Sequence, residues 1–166
     1  MAKDTSQSKE APWLQGVVTH RYRVVFGDTD QMGVVYYANY LRYFERGRVA
    51  FLRNAGFSYN DFQANGWQLP VVDVQAKYVK PARYEDLLEV ETQMPVLGRV
   101  KMVFEYRIFK LHADGGRALL CKGTSSHACM DERGRPTRLP TPLMSHLTEY
   151  WSNAKSLVQT EVLEEL

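Results

Sequence analysis

Cysteine is nearly absent from this chain. Cys121 and Cys129 are its only two. They lie eight residues apart in what reads as one strand, a spacing that suits neither a local disulfide nor a zinc pair, so buried, inert thiols fit better. Net charge is scarce too: 21 Lys and Arg against 19 Asp and Glu leave +2. The two signs are interspersed, which gives a nucleic acid no basic stripe to follow. The four histidines, His20, His112, His127 and His146, are scattered without ligand or triad spacing; neither a metal nor a cofactor is expected. No apolar run approaches the roughly 20 residues of a transmembrane helix, and the opening MAKDTSQSKEAP lacks the apolar core of a secretory signal. A cytoplasmic protein is the default expectation, with residues 1–15 a flexible tail.

What the chain does have is enough apolar residues, 45% of 166, for one domain with a real core. Its most informative stretch is FGDTDQMGVVYYANYLRYFERGRVAFLR, from Phe26 to Arg53. Within it Tyr37, Tyr40, Leu41, Phe44, Phe51, Leu52 and Ala55 fall three and four apart, which predicts one face of a long helix. Arg42, Glu45, Arg46, Arg48 and Arg53 take the other face. Gly47 sits on the apolar side at a cost of about 1 kcal/mol against Ala, which implies a close backbone approach. Gly56 supplies a stop.

Ahead of the helix, Val34 to Tyr37 offer no capping side chain, so the first amide N–H groups are open to an anion or oxyanion. The alternative is that Asn39 caps a helix starting slightly later. Asp28 and Asp30 flank Thr29, and Gly33 permits the tight turn that places a carboxylate near the helix N-terminus.

Around this unit the pattern changes to period two. Tyr22, Val24 and Phe26 alternate with Arg21, Arg23 and Val25, giving a half-buried strand that delivers the Asp pair. Residues 57–68 read as a loop or short helix. Leu69 to Val79 is a second strand ended by Pro81. Asp86 to Leu97 and Val100 to Leu111 form a hairpin about Gly98-Arg99, and Asp114-Gly115-Gly116 turns the chain into a fifth strand, Arg117 to Met130. The polar run Lys122 to Ser126 implies that part of this strand faces solvent, a groove or a subunit interface. After Pro142, Leu143, Leu147, Tyr150, Trp151 and Ala154 predict an amphipathic helix that continues weakly through Val158 and Val162. The whole is α+β: an antiparallel five-stranded sheet wrapped on one long central helix. The main domain spans 16–140 and a C-terminal helical extension 141–166.

The string D-x-D-x-x-G-V-V-Y-x-x-x-Y, followed by Phe44-Glu45-Arg46-x-Arg48, resembles the signature of the 4-hydroxybenzoyl-CoA thioesterase family, nearest to its Tol-Pal-associated acyl-CoA thioesterase branch. The similarity covers about Tyr22 to Met130. It implies the hotdog fold, an acyl-CoA substrate with acyl carrier protein as another possible carrier, and a homodimer or homotetramer. It also implies that Asp30 is the catalytic carboxylate and that the oxyanion-binding N–H comes from the helix start at Tyr37. Gly33 and Val35 are the expected substrate-binding positions in the same motif. Arg99 and Lys101 match the region that holds the nucleotide phosphates.

Asp30 can activate water or attack the carbonyl directly; sequence leaves both open. Asp28 either tunes Asp30 or shapes the turn, with the turn role favoured. A non-catalytic module that binds an acyl group or a protein is the competing reading. A hydratase is disfavoured, because no His pairs with an acid near the helix.

Overall fold

The computed structural model describes residues 16–153 and 160–162, with side chains through residue 150. Its elements are β1 (Val18–Arg23), α1 (Asn39–Asn54), α2 (Tyr59–Ala64), β2 (Val71–Tyr78), β3 (Leu87–Leu97), β4 (Lys101–Leu111), β5 (Arg117–Ala128), α3 (Thr141–Asn153) and β6 (Thr160–Val162). The sheet order is β2-β5-β4-β3-β1-β6. The first five pair antiparallel as the sequence pattern predicts. The sixth corrects one expectation: Thr160–Val162 does not prolong the C-terminal helix but runs parallel to Thr19–Arg21. Two of its three residues are β-branched, and β1 otherwise ends the sheet there, so an open ladder meets a strand-favouring segment. Residues 1–15, expected as a tail, and Ala154 lie outside the described residues.

One face of the sheet holds the core. Leu88, Val90, Thr92 and Met94 of β3 and Met102, Phe104, Tyr106 and Ile108 of β4 are all buried, and α1 lies across them with Tyr40, Tyr43, Phe44, Ala50, Phe51 and Leu52 turned inward. Gly47 does permit a close approach, but by side chains of β3 and not by the backbone expected. A Cβ built there would strike Thr92 Oγ1 and come within 2.9 Å of Val90 Cγ1, so the helix seats on the sheet only without a side chain at that point. Gly123 does the same on β5. It clears room for the Phe44 ring, which stacks on Tyr106 at 4.4 Å and 8°.

Two other expectations change. Tyr37 and Leu41, grouped with the buried face, are 62% and 39% exposed. The helix starts after Tyr37, and Leu41 lies about 100° round from Tyr40. Phe26 is 75% exposed, because the chain has already left the sheet for a 3-10 turn, Phe26–Asp28. The polar run of β5 is partly solvent-facing as expected, with Lys122 exposed, while Ser125 and Ser126 are buried.

Ser125 is buried because a chain of hydrogen bonds satisfies it. Leu69 O can only accept, so the His127 Nδ1–H donates to it across 3.2 Å. His127 Nε2 therefore accepts from Ser125 Oγ at 2.8 Å, and Ser125 accepts from the Tyr106 hydroxyl at 2.7 Å. Burial holds the His127 ring neutral, pushing its pKa down to about 4, with Arg48 a smaller contributor.

The short helix α2 starts at Ser58, whose Oγ accepts the Asp61 N–H at 3.3 Å while Asp61 Oδ2 takes the Ser58 N–H at 2.7 Å. The α3 side chains Leu143 and Leu147 are fully buried, and Tyr150 meets Phe51 edge-on at 5.7 Å. Among the described residues no helix is long and apolar enough to cross a membrane. Cys121 and Cys129 are free and buried, and desolvation pushes the Cys121 thiol up to about 12, so it stays protonated and unreactive.

Candidate active site

The turn from Asp28 to Val34 presents two carboxylates in different environments. Asp28 is 3% exposed. Its Oδ2 accepts from the Tyr22 hydroxyl at 2.9 Å, the Tyr43 hydroxyl at 3.0 Å and the Val25 N–H at 3.3 Å, and Oδ1 faces Arg42 at 3.9 Å. Desolvation, with the Asp28 charge beside them, raises both phenol pKa values, so the tyrosines remain donors. The Asp28 carbonyl also receives the Tyr36 N–H and the Asn39 side-chain amide, each at 2.9 Å. The turn role favoured for Asp28 is thus too small. It is a buried anchor binding the loop to β1 and α1 at once.

Asp30 faces outward. Its Oδ1 accepts the Met32 N–H at 2.8 Å, its N–H goes to Val34 O and its carbonyl takes the Gly33 N–H, both at 2.9 Å. Gly33 closes this turn at φ +72°, where a Cβ is disfavoured. Asp30 Oδ2 makes no hydrogen bond among the described residues, and the side chain is half-buried at the edge of a groove of about 290 Å³.

The same groove receives the start of α1. Ala38 occupies the capping position, and its methyl group cannot accept a hydrogen bond. Asn39 is the first helical residue and turns its amide back to Asp28, so the alternative in which Asn39 caps the helix does not hold. Tyr36, Asn39, Tyr40 and Leu41 amides all have backbone acceptors. Those of Tyr37 and Ala38 donate to none among the described residues, and they stand at the positive end of the helix.

Opposite lies the end of β2. Tyr78, Val79, Lys80 and Pro81 form that wall, and Val35, Tyr37 and Tyr40 complete the apolar lining. Val35 is 4% exposed and donates its N–H to Ala82 O at 2.8 Å; Tyr40 Oη accepts the Ala82 N–H at 3.1 Å. Of the sequence-predicted residues, Asp30, Val35 and Tyr37 come together here, and Gly33 shapes the turn behind them.

Arg99 and Lys101 do not join them. Lys101 pairs with Ala128 at one end of β5, whereas Tyr78 pairs with Cys121 near the other. The seven residue steps from Cys121 to Ala128 correspond to roughly 23 Å of strand. The β2 wall was missed for a related reason. Tyr78 is 41 residues from Tyr37 in sequence, and only the β2–β5 pairing brings it near, so no local pattern announces it.

A family model described as the thioesterase-like superfamily matches residues 24–149. The chain belongs to the thioesterase-like superfamily. Among superfamily relatives, the acyl-CoA thioester hydrolase YbgC of Escherichia coli O6:H1 is 30% identical over 128 residues, 76% of this chain and 92% of that protein. The crystal structure of a DHNA-CoA thioesterase from Staphylococcus aureus superposes with a TM-score of 0.76 at 27% identity, covering 87% of this chain and 97% of that one. At the level of fold, 4-hydroxybenzoyl CoA thioesterase from Pseudomonas sp. strain CBS-3 matches with a TM-score of 0.71 at 24% identity over 78% of this chain and 98% of that one. The fold is the hotdog fold that the motif implies. Among the described residues no cluster of three or more His, Cys, Asp or Glu is placed to hold a metal.

Proposed function

We propose that this chain is an acyl-CoA thioesterase that hydrolyses its substrate in the groove between the start of α1 and the end of β2. The observation that carries the reading is the meeting of Asp30 with an uncapped helix N-terminus on one groove. Thioester hydrolysis needs both parts. In one route Asp30 takes a proton from water as its oxygen attacks the thioester carbonyl; in the other the carboxylate attacks and forms an anhydride that water then cleaves. Either route puts a negative charge on the carbonyl oxygen before the thiolate departs, and the Tyr37 amide is the donor set to receive it. One such donor is typically worth about 2.7–4 kcal/mol. Val35 forms an acyl wall, and Gly33 holds the turn.

Arg99 and Lys101 serve this site from a second copy of the chain. β2 ends the sheet, and Val72 and Val74 on it are 54% and 40% exposed, an edge suited to antiparallel pairing with its own symmetry mate. Two-fold pairing there sets the Val71 end of one copy beside the Tyr78 end of the other. The Arg99–Lys101 hairpin, at the Val71 end, then approaches the partner's groove, where two cations suit the phosphates of coenzyme A. A dimer is the smallest assembly that meets this need, and a tetramer built from it meets it equally. Acyl carrier protein is the other carrier the chemistry permits.

The test is hydrolysis across acyl-CoA thioesters of graded chain length and an aromatic acyl-CoA, followed by thiol release. Turnover of at least one supports the proposal. Tight binding with no turnover of any overturns it in favour of a non-catalytic acyl-binding module.

A further inference from the structure

We infer that Tyr78 is a positioning residue for the first turn of α1, holding the Ala38 N–H as a second oxyanion donor beside that of Tyr37. The inference rests on the thioesterase reading of the groove and extends it to a residue outside the acidic-turn motif. Tyr78 closes β2, and its hydroxyl crosses the groove to donate to Tyr37 O at 3.0 Å. That carbonyl is poorly held by the helix itself. Leu41 N–H, its ordinary helical partner four residues on, goes to Ala38 O instead, and the Tyr40 N–H reaches Tyr37 O only at 3.4 Å. The Tyr78 hydroxyl therefore makes the shorter of the two bonds that fix this group.

Fixing that carbonyl fixes an amide. The peptide unit is planar, so the Ala38 N–H points opposite to Tyr37 O. This is one of the two first-turn N–H groups without an acceptor among the described residues. A hydrogen bond accepted at the carbonyl also polarises the same unit and makes its N–H a better donor. The ring of Tyr78 is itself held, edge-on against Tyr40 at 5.2 Å and Tyr37 at 6.4 Å, and Tyr40 is locked by the Ala82 N–H. Desolvation raises the Tyr78 pKa, which keeps the hydroxyl protonated and donating through neutral pH. Nothing in this arrangement touches the reacting atoms. Tyr78 acts through the backbone it orients.

Tyr78→Phe removes the hydroxyl and keeps the ring of a side chain that is 46% exposed, so the fold should hold. Loss of a direct oxyanion donor costs about 100- to 1000-fold in kcat, and an indirect effect should be smaller. The expected result is a kcat lower by about 5- to 20-fold with KM for acyl-CoA within about twofold. A second readout separates positioning from packing. In an Asp30→Asn background, the infrared carbonyl stretch of bound, carbonyl-labelled acyl-CoA should shift toward its frequency in water when Tyr78→Phe is added, with the dissociation constant unchanged. A kcat within twofold of wild type, or a carbonyl stretch that does not move, overturns the inference while leaving the thioesterase reading intact. A wild-type protein that hydrolyses no acyl-CoA overturns both.

Discussion

The Tyr43 hydroxyl donates to the Asp28 carboxylate across 3.0 Å, tying the second turn of the central helix to the turn that carries Asp30 two residues later. Both groups are buried, so the bond is sheltered from water and charge-assisted. It explains how a loop at the mouth of a groove keeps a fixed geometry.

Removing either partner should therefore destabilise the protein more than it damages the chemistry directly. Tyr43→Phe is expected to cost about 1.5–3 kcal/mol of stability, a drop of several degrees in Tm. Asp28→Asn should cost at least as much, because it weakens the bonds to Tyr22 and Tyr43 together. Chemical denaturation of the two single variants and the double variant checks this. Additive losses in the double variant would show that the two residues do not act as a pair.

Gly47→Ala tests the seating of α1. Alanine has the better helix propensity by about 1 kcal/mol, so an exposed site would be stabilised. Here the new methyl meets Thr92 and Val90 on β3, and overpacking of this kind costs about 1–3 kcal/mol. A lower Tm is the expected net result. A higher one would mean that helix and sheet can part without loss.

His127 gives stability a pH dependence. Its pKa falls from the ordinary 6.5 to about 4 in the fold, so the unfolded chain binds the proton more readily. The stabilisation is complete above about pH 6.5 and is lost as pH falls toward 4. Calorimetry should show Tm falling by at least about 5 °C across that window. His127→Gln should flatten this part of the profile, although its Tm at neutral pH will be lower. An unchanged slope in that variant would assign the acid sensitivity elsewhere.

These residues also mark what sequence makes legible. The helix face around Phe44 and Gly47, and the period-two faces of β3 and β4, were readable because burial imposes a repeat on neighbours in the chain. That Asp30, Val35 and Tyr37 share one groove was readable because one short motif holds them. Tyr78 and the anchoring role of Asp28 were not, since each depends on partners brought together by sheet pairing or helix packing. The β6 segment was misread because its three residues carry a signal too short to outweigh an apparent continuation of helix. Tyr37 was misplaced by a two-residue error in where the helix begins, and Leu41 by about 100° of rotation from the buried face.

Arg99 and Lys101 test the proposed assembly. Replacing both with Ala should raise KM for acyl-CoA by about 10-fold and leave kcat nearly unchanged. Hydrolysis of a short thioester lacking the nucleotide should not respond. Light scattering should report a dimer or larger. A fully active monomer, or an equal loss on the short thioester, would contradict the arrangement.

The most direct measurement is the turnover of Asp30→Asn beside its thermal melt. Asparagine keeps the shape and can still accept the Met32 N–H that orients Asp30, but it cannot serve as an anionic base or nucleophile. The account predicts a folded protein that binds acyl-CoA with kcat reduced at least about 100-fold. A well-folded Asp30→Asn protein with near wild-type kcat would contradict it.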